Sequence, residues 1–150
     1  MKTSLIFLFF IFPCFIYGQY VNIPDTNFKS YLIENSEINT NGDNEIQISE
    51  ASSFDGEIYC FDQEISDLTG VEAFTSLTSL NCSWNSLTNI DVSQNTELLN
   101  FDCSMNMLTS LDLSENNTLR FLNCELNQLT DLNLSVTNAL IVLECGGNEL

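Results

Sequence analysis

The sequence predicts a right-handed solenoid of short, stacked parallel strands, closed at its N-terminal end by a small α-helical cap. Three observations carry that prediction. From Leu77 the chain reads LTSLNCSWNSLTNIDVSQNTE, LLNFDCSMNMLTSLDLSENNT, LRFLNCELNQLTDLNLSVTNA and LIVLECGGNEL, one pattern written four times. Cys82, Cys103, Cys124 and Cys145 fall 21 residues apart, as do Asn85, Asn106, Asn127 and Asn148, and Leu87, Leu108, Leu129 and Leu150. Apolar residues alternate at Leu80-x-Cys82 and again at Ile90-x-Val92, the period of two expected of a strand with one buried face.

A fixed period of this size marks stacked supersecondary units, and L-x-x-L-x-(L/C)-x-x-N-x-L is the leucine-rich-repeat signature. Each rung carries two apolar stripes, Leu77, Leu80 and Cys82, then Leu87, Ile90 and Val92. The first stripe predicts the main parallel sheet and the second a short-strand face opposite it. A single rung cannot bury both sides of its stripes, so the rungs stand only as a column. The turn between stripes leaves backbone N–H and C=O groups pointing inward, where an unpaired group is expensive. A carboxamide donates and accepts at once. Asn85, Asn106, Asn127 and Asn148 are therefore read as a structural ladder.

Taken in order, the chain begins MKTSLIFLFFIFPCFIYGQ. Lys2 followed by an apolar run from Leu5 to Ile16, too short to span a membrane, and small Gly18 at a cleavage point give residues 1–18 the form of a secretory signal peptide. Residues 19–56 follow as the cap, and 57–150 as about four full rungs and a truncated one. The sequence stops midway through a rung, and the expectation is a fragment of a longer protein. The whole chain carries a formal charge of −18. Past residue 18 only Lys29 and Arg120 are positive. Such a surface repels phosphate backbones and anionic lipid, which argues against nucleic-acid and membrane-surface roles. Cys60, Cys82, Cys103, Cys124 and Cys145 all stand where a repeat of this kind places Leu. In-register parallel strands point such side chains the same way, poorly suited to a disulfide dihedral. They predict a buried column of free thiols.

In the cap, Asp25 is a good N-cap, and Phe28, Tyr31 and Leu32 share one helical face from about Thr26 to Glu34. A second short helix is expected from about Ser49 to Phe54. Between them lies INTNGDNEIQISE. Counting Asn39 as one, Asn41 and Asp43 take positions three and five, Glu45 takes seven, where a backbone carbonyl serves, and Glu50 takes twelve. That resembles an EF-hand calcium loop, in which alternate oxygen donors are closed by a carboxylate from the exiting helix. Asn39 replaces the usual first Asp, and Asn44 stands where Gly makes the sharp turn, a place Asn tolerates. The expected binding is weak, ~10⁻⁴–10⁻³ M, and structural. No other cofactor is required, and the absence of His argues against a transition-metal site.

A helical, EF-hand-like cap leading into Ile58-Tyr59-Cys60 and then ISDLTGVEAFTSLTSLNCSWN resembles the internalin-type leucine-rich-repeat proteins that bacteria secrete. Ile65-Ser66-Asp67-Leu68-Thr69-Gly70-Val71-Glu72 is similar to the opening repeat of that family. The step of 22 from Cys60 to Cys82 is the family's, and the 21-residue steps that follow depart from it. The resemblance implies a cap that shields the first rung and a curved sheet whose concave face binds another macromolecule, in adhesion or host recognition. It implies no receptor-contacting residues.

Those are sought among outward positions of the first stripe. Asn81, Asp102, Asn123 and Glu144 form one column, Trp84, Met105 and Leu126 a second, and Ser79, Asn100, Phe121 and Val142 a third. Trp84, Met105, Leu126 and Phe121 beside amides and carboxylates suit a protein or glycan ligand. On the second stripe Asp91, Asp112 and Asn133, with Ser93, Ser114 and Ser135, are read as makers of tight turns. Asp91 and Asp112 on adjacent rungs satisfy the spacing of a glycosidase pair, but a flat ladder offers no pocket to separate their acidities. No Ser–His, Cys–His or phosphate-binding motif is present. The reading is therefore a secreted or cell-surface binding module, monomeric and not an enzyme. The alternative is an accessory or positioning region of a larger secreted enzyme or glycan-binding protein.

Overall fold

Asp25 starts the first helix of the cap as its position predicts. One carboxylate oxygen accepts from the backbone N–H of Asn27 (2.9 Å) and Phe28 (3.0 Å), capping helix α1, Thr26–Glu34. The computed structural model describes residues 20–150, so the proposed signal peptide lies outside the described residues. Phe28 and Leu32 on α1 are fully buried. The second helix, α2, runs Ile48–Ser53, one residue earlier than expected at each end. It starts there because the Glu50 carboxylate accepts from the Gln47 N–H (3.0 Å) and fixes Gln47 as the residue before the first turn.

Beyond the cap, five three-residue strands stack in chain order: β1 Glu57–Tyr59, β2 Ser79–Asn81, β3 Asn100–Asp102, β4 Phe121–Asn123 and β5 Val142–Glu144. Every pairing is parallel and in repeat register, with Ile58, Leu80, Phe101, Leu122 and Leu143 side by side. The middle residue of each strand faces the interior. The first four of these are buried, while Leu143 is 39% exposed on the final strand. Leu77, Leu98 and Leu119 behind the strands, and Leu87, Leu108 and Leu129 after the turn, complete one continuous core. Cap and rungs share that core: Phe54 meets Phe74 edge to face at 6.2 Å.

Two further contacts seat the cap. The second oxygen of Asp25 accepts from the N–H (2.9 Å) and hydroxyl (3.0 Å) of Ser66. Gly70, at φ 108° after the first rung, lies against the segment leading into α1. A Cβ there would stand 2.7 Å from Ile23 Cγ1, so only glycine lets the two backbones approach this closely. On the outer edge of β1 the Tyr59 N–H donates to the Tyr31 hydroxyl (2.9 Å).

The second apolar stripe packs inward as expected, with Val92, Leu111 and Leu113 buried, but it does not form the expected short-strand face. The chain there is extended and turned, with one 3₁₀ turn at Val71–Ala73 and no strand assigned among the described residues. The reason is local. Asp91, Asp112 and Asn133 each accept from the N–H of the Ser two residues on, at 2.9 Å, and each bond bends the chain out of ladder geometry. Side chains replace the missing ladder. Asn95 Nδ2 donates to the carbonyls of Val71 and Phe74, and Asn116 Nδ2 to those of Val92 and Asn95, all within 3.1 Å. Asn95 and Asn116 are fully buried and recur at the 21-residue step. This second amide ladder was legible in the repeat and escapes a reading that follows apolar positions alone.

Candidate recognition face

The register lines up the outward strand residues as the sequence columns predict. Tyr59, Asn81, Asp102, Asn123 and Glu144 form one column, and Glu57, Ser79, Asn100, Phe121 and Val142 the next. Tyr59, exposed by 49%, and Glu57 extend both columns onto the first rung. The 22-residue step from Cys60 locates them, though the repeats from Leu77 onward do not. Ser79 proves buried. Between Tyr59 and Phe121 the sheet carries a shallow groove of about 180 Å³ lined also by Asn81, Asn100 and Asp102.

Three of the polar residues on this face also serve the fold. Asn81 Oδ1 accepts from the Ser83 N–H (3.0 Å) and hydroxyl (2.7 Å). Asp102 Oδ1 repeats this with Ser104 at 3.0 and 2.7 Å, and Asn123 Oδ1 accepts from the Glu125 N–H (3.1 Å). Each terminates its strand, so each presents a fixed amide edge or carboxylate oxygen. Glu144 is exposed on β5.

Just past the strands every rung enters the left-handed region at the same repeat position, at Asp62, Trp84, Met105, Leu126 and Gly147, with φ between 53 and 70°, and the first rung does so again at Glu64 (φ 55°). Backbone bonds continue through this position: the N–H of Trp84 donates to Ser104 O, that of Met105 to Glu125 O, and that of Leu126 to Gly146 O, at 2.8–3.1 Å. Trp84, Met105 and Leu126 therefore form one ridge on successive rungs. Trp84 is 59% and Leu126 50% exposed, and Met105 is half-buried. Leu126 leans over Gly147, where a Cβ would stand 2.6 Å from its Cδ2.

The asparagines after the ridge do what the sequence demands. Asn106 Nδ2 donates to the carbonyls of Cys82 (3.0 Å) and Cys103 (3.1 Å), while its Oδ1 accepts from the Leu87 N–H (2.9 Å). Asn127 and Asn148 repeat the pattern one rung further on each time. Asn85, on the first full rung, spans Cys60 and Cys82 in the same manner and accepts from Ile65. Cys60, Cys82, Cys103 and Cys124 are buried free thiols, and Cys145 is partly exposed. Burial pushes the Cys60 thiol up to about 12 and that of Cys124 to about 11, so they are poor nucleophiles.

The cap loop brings Asn39, Asn41, Asp43, Glu45 and Glu50 into one segment, and their side-chain oxygens are engaged by donors of the loop and, at Glu45, by Lys29 of α1. Glu50 Oε1 accepts from the Thr40 N–H and hydroxyl (both 2.9 Å) and the Asn41 N–H (3.2 Å), and Oε2 from Gln47. Asn39 Nδ2 points inward to the carbonyls of Ile33 (3.0 Å) and Asp43 (2.8 Å). Asp43 Oδ2 accepts from Gln47 Nε2 (2.9 Å), and Glu45 pairs with Lys29 at 2.7 Å. The left-handed turn falls on Gly42 (φ 69°), not on Asn44. A calcium loop turns its oxygens to the cation, whereas here Asn39 Oδ1 accepts from the Gly42 N–H (3.1 Å) and Asn41 Oδ1 from the Asp43 N–H (2.8 Å). Among the described residues no three Asp, Glu, Cys or His side chains cluster as ligands would. Binding a cation here would have to displace the N–H and O–H donors that now occupy the Asp43 and Glu50 carboxylates.

Asp91 and Asp112 do not form an acid–base pair either. The Ser93 and Ser114 N–H groups hold both carboxyls below the ordinary range, and a general acid requires the opposite shift. Among the described residues no helix is long and apolar enough to cross a membrane.

Comparison with known proteins adds the following. No protein-family model matches the chain. Internalin J of Listeria monocytogenes serotype 4b (strain F2365) is 39% identical over 74 residues, covering 49% of this chain and 8% of that protein. The solved functional domain of InlJ from L. monocytogenes, described as including a cysteine ladder, superposes with a TM-score of 0.70 at 32% identity, over 81% of this chain and 28% of that one. Internalin InlF of strain 4b F2365 superposes at 0.74 and 20% identity, over 83% of this chain and 37% of that one, a likeness of fold alone. The chain thus spans only a small part of these relatives. Repeat, sheet register and these likenesses agree: the chain is an internalin-like leucine-rich-repeat solenoid.

Proposed function

We propose that this chain is an exported, surface-associated recognition module that binds a protein partner across its strand face, in adhesion or host recognition. One observation carries the reading. A five-strand sheet and the turns after it present Tyr59, Phe121 and Trp84 beside Asn81, Asp102 and Asn123, whose side chains are held by bonds to the backbone. Exposed aromatic side chains beside polar groups already held in place are what protein interfaces use, because those polar groups lose little freedom on binding. The internalin likeness supports the same class.

The test is a binding array of extracellular proteins probed with the exported chain. Trp84→Ala combined with Phe121→Ala should abolish the hits, whereas Glu97→Ala combined with Glu115→Ala, on the opposite flank, should preserve them. Hits that survive the first pair and vanish with the second place recognition elsewhere.

A further inference from the structure

Three successive rungs put Trp84, Met105 and Leu126 at φ 54–56°, a conformation that is uncommon and strained for side chains of this size. The rungs on either side make the same turn with Asp62 and Gly147, so the turn itself does not require a large apolar side chain. Large apolar side chains held there, half-exposed and in line, serve something other than the core.

Charge indicates what that is. The ridge begins at Asp62, which shares the left-handed turn, and Glu125 precedes Leu126. Asp102 and Glu144 stand in the neighbouring strand column. No Lys or Arg occupies any of these columns. Lys29 is paired with Glu45 in the cap, and Arg120 precedes β4, at the end of the strands away from the ridge. We propose that the Trp84–Met105–Leu126 ridge with its flanking carboxylates docks an arginine-bearing segment of the protein partner. This rests on the recognition reading above and specifies its chemistry. A guanidinium stacks on an indole face and forks to a carboxylate at the same time. An ammonium matches only the second need, and an acidic segment is repelled.

Trp84 is the only tryptophan in the chain, so its emission reports the ridge directly. The experiment titrates the exported chain at physiological salt with three synthetic peptides of equal length, alternating arginine and leucine, lysine and leucine, or glutamate and leucine. The arginine peptide should shift Trp84 emission saturably and bind several-fold more tightly than the lysine peptide, and the glutamate peptide should give no change. Met105→Gly and Leu126→Gly leave every charge in place and adopt the conformation without strain, so they fold. Each should weaken arginine-peptide binding by about three- to tenfold, as loss of a half-buried apolar side chain implies. Equal binding by both glycine variants, or by the lysine peptide, would reduce the effect to diffuse attraction between polyanion and polycation and overturn the proposal. If an array partner is lost on Trp84→Ala/Phe121→Ala but not on Leu126→Gly, the ridge proposal fails while the recognition reading stands.

Discussion

Asn106→Ala tests the amide ladder at a buried point. In the native protein one carboxamide serves four backbone groups: it accepts from Leu87 N–H and donates to Cys82 O, Cys103 O and Ser104 O. Removing it does not affect them equally. Cys82 O keeps the Asn85 amide at 3.0 Å, Cys103 O keeps the Asn127 amide at 3.0 Å, and Ser104 O keeps the Trp84 N–H at 3.1 Å. Leu87 N–H alone loses its only acceptor, inside a fully buried residue. One orphaned N–H at about 1–3 kcal/mol, with two good bonds lost at about 1 kcal/mol each, predicts a destabilisation of about 3–5 kcal/mol. Asn148→Ala removes the same three kinds of bond at a half-buried position that water reaches, and should cost only about 1 kcal/mol. Equilibrium urea unfolding followed by circular dichroism, with unchanged m-values, measures both. Values within 1 kcal/mol of each other would refute the claim that inward-facing backbone is what the ladder exists to satisfy. Asn106→Asp sharpens the point, because it keeps the acceptor for Leu87 but turns an anionic oxygen on three carbonyls. The fold disfavours its charged form and so raises its pKa, and its deficit should grow as pH climbs from 4 toward neutrality.

Asn116→Ala should be milder than Asn106→Ala, at about 1–2 kcal/mol. Its two carbonyl partners retain the N–H groups of Asn95 and Leu98, and its own Oδ1, buried without a partner among the described residues, disappears with it. Alkylation with iodoacetamide at pH 8, mapped by mass spectrometry, should modify Cys145 first and leave Cys60, Cys82, Cys103 and Cys124 untouched until urea unfolds the chain. Uniform native labelling would contradict their burial. Burial raises Asp25, but bonds from Ser66, Phe28 and Asn27 outweigh it and leave the carboxyl below its ordinary 3.8. Its stabilisation is therefore complete above about pH 5 and lost as pH falls through the lowered value. The gap between wild type and Asp25→Ala, about 1–2 kcal/mol at pH 7, should close on acidification, and a gap constant to pH 2 would refute the linkage. Millimolar calcium should leave the thermal midpoint unchanged, and a rise abolished by Glu50→Gln would show that the loop rearranges into a metal site.

The columns were legible because a 21-residue step leaves no freedom: a slip of one residue would turn every Leu and Cys outward. The start of α1 was legible for the same reason, since Asp25 has one task its side chain can perform. What was not legible depends on competition between neighbours. Ile90-x-Val92 has the spacing of a strand, yet the Asp91 carboxylate captures the Ser93 N–H before any ladder can. The loop from Asn39 has the spacing of a calcium site, yet the side-chain amides of Asn41 and Gln47 donate to the Asp43 carboxylate, and the Glu50 carboxylate takes the N–H groups of Thr40, Asn41 and Gln47. Spacing records where a group sits, not which partner reaches it first. The ridge was visible as a column, but its left-handed backbone was not, because nothing about Trp, Met or Leu announces φ above zero.

The hydroxyl of Tyr31 on the N–H of Tyr59 has one more implication. A lone side-chain oxygen seals that donor without offering a row of groups on which another chain could align. A further strand aligning on β1 would first have to displace this bond, so the cap guards that edge of the sheet with a side chain of its own helix.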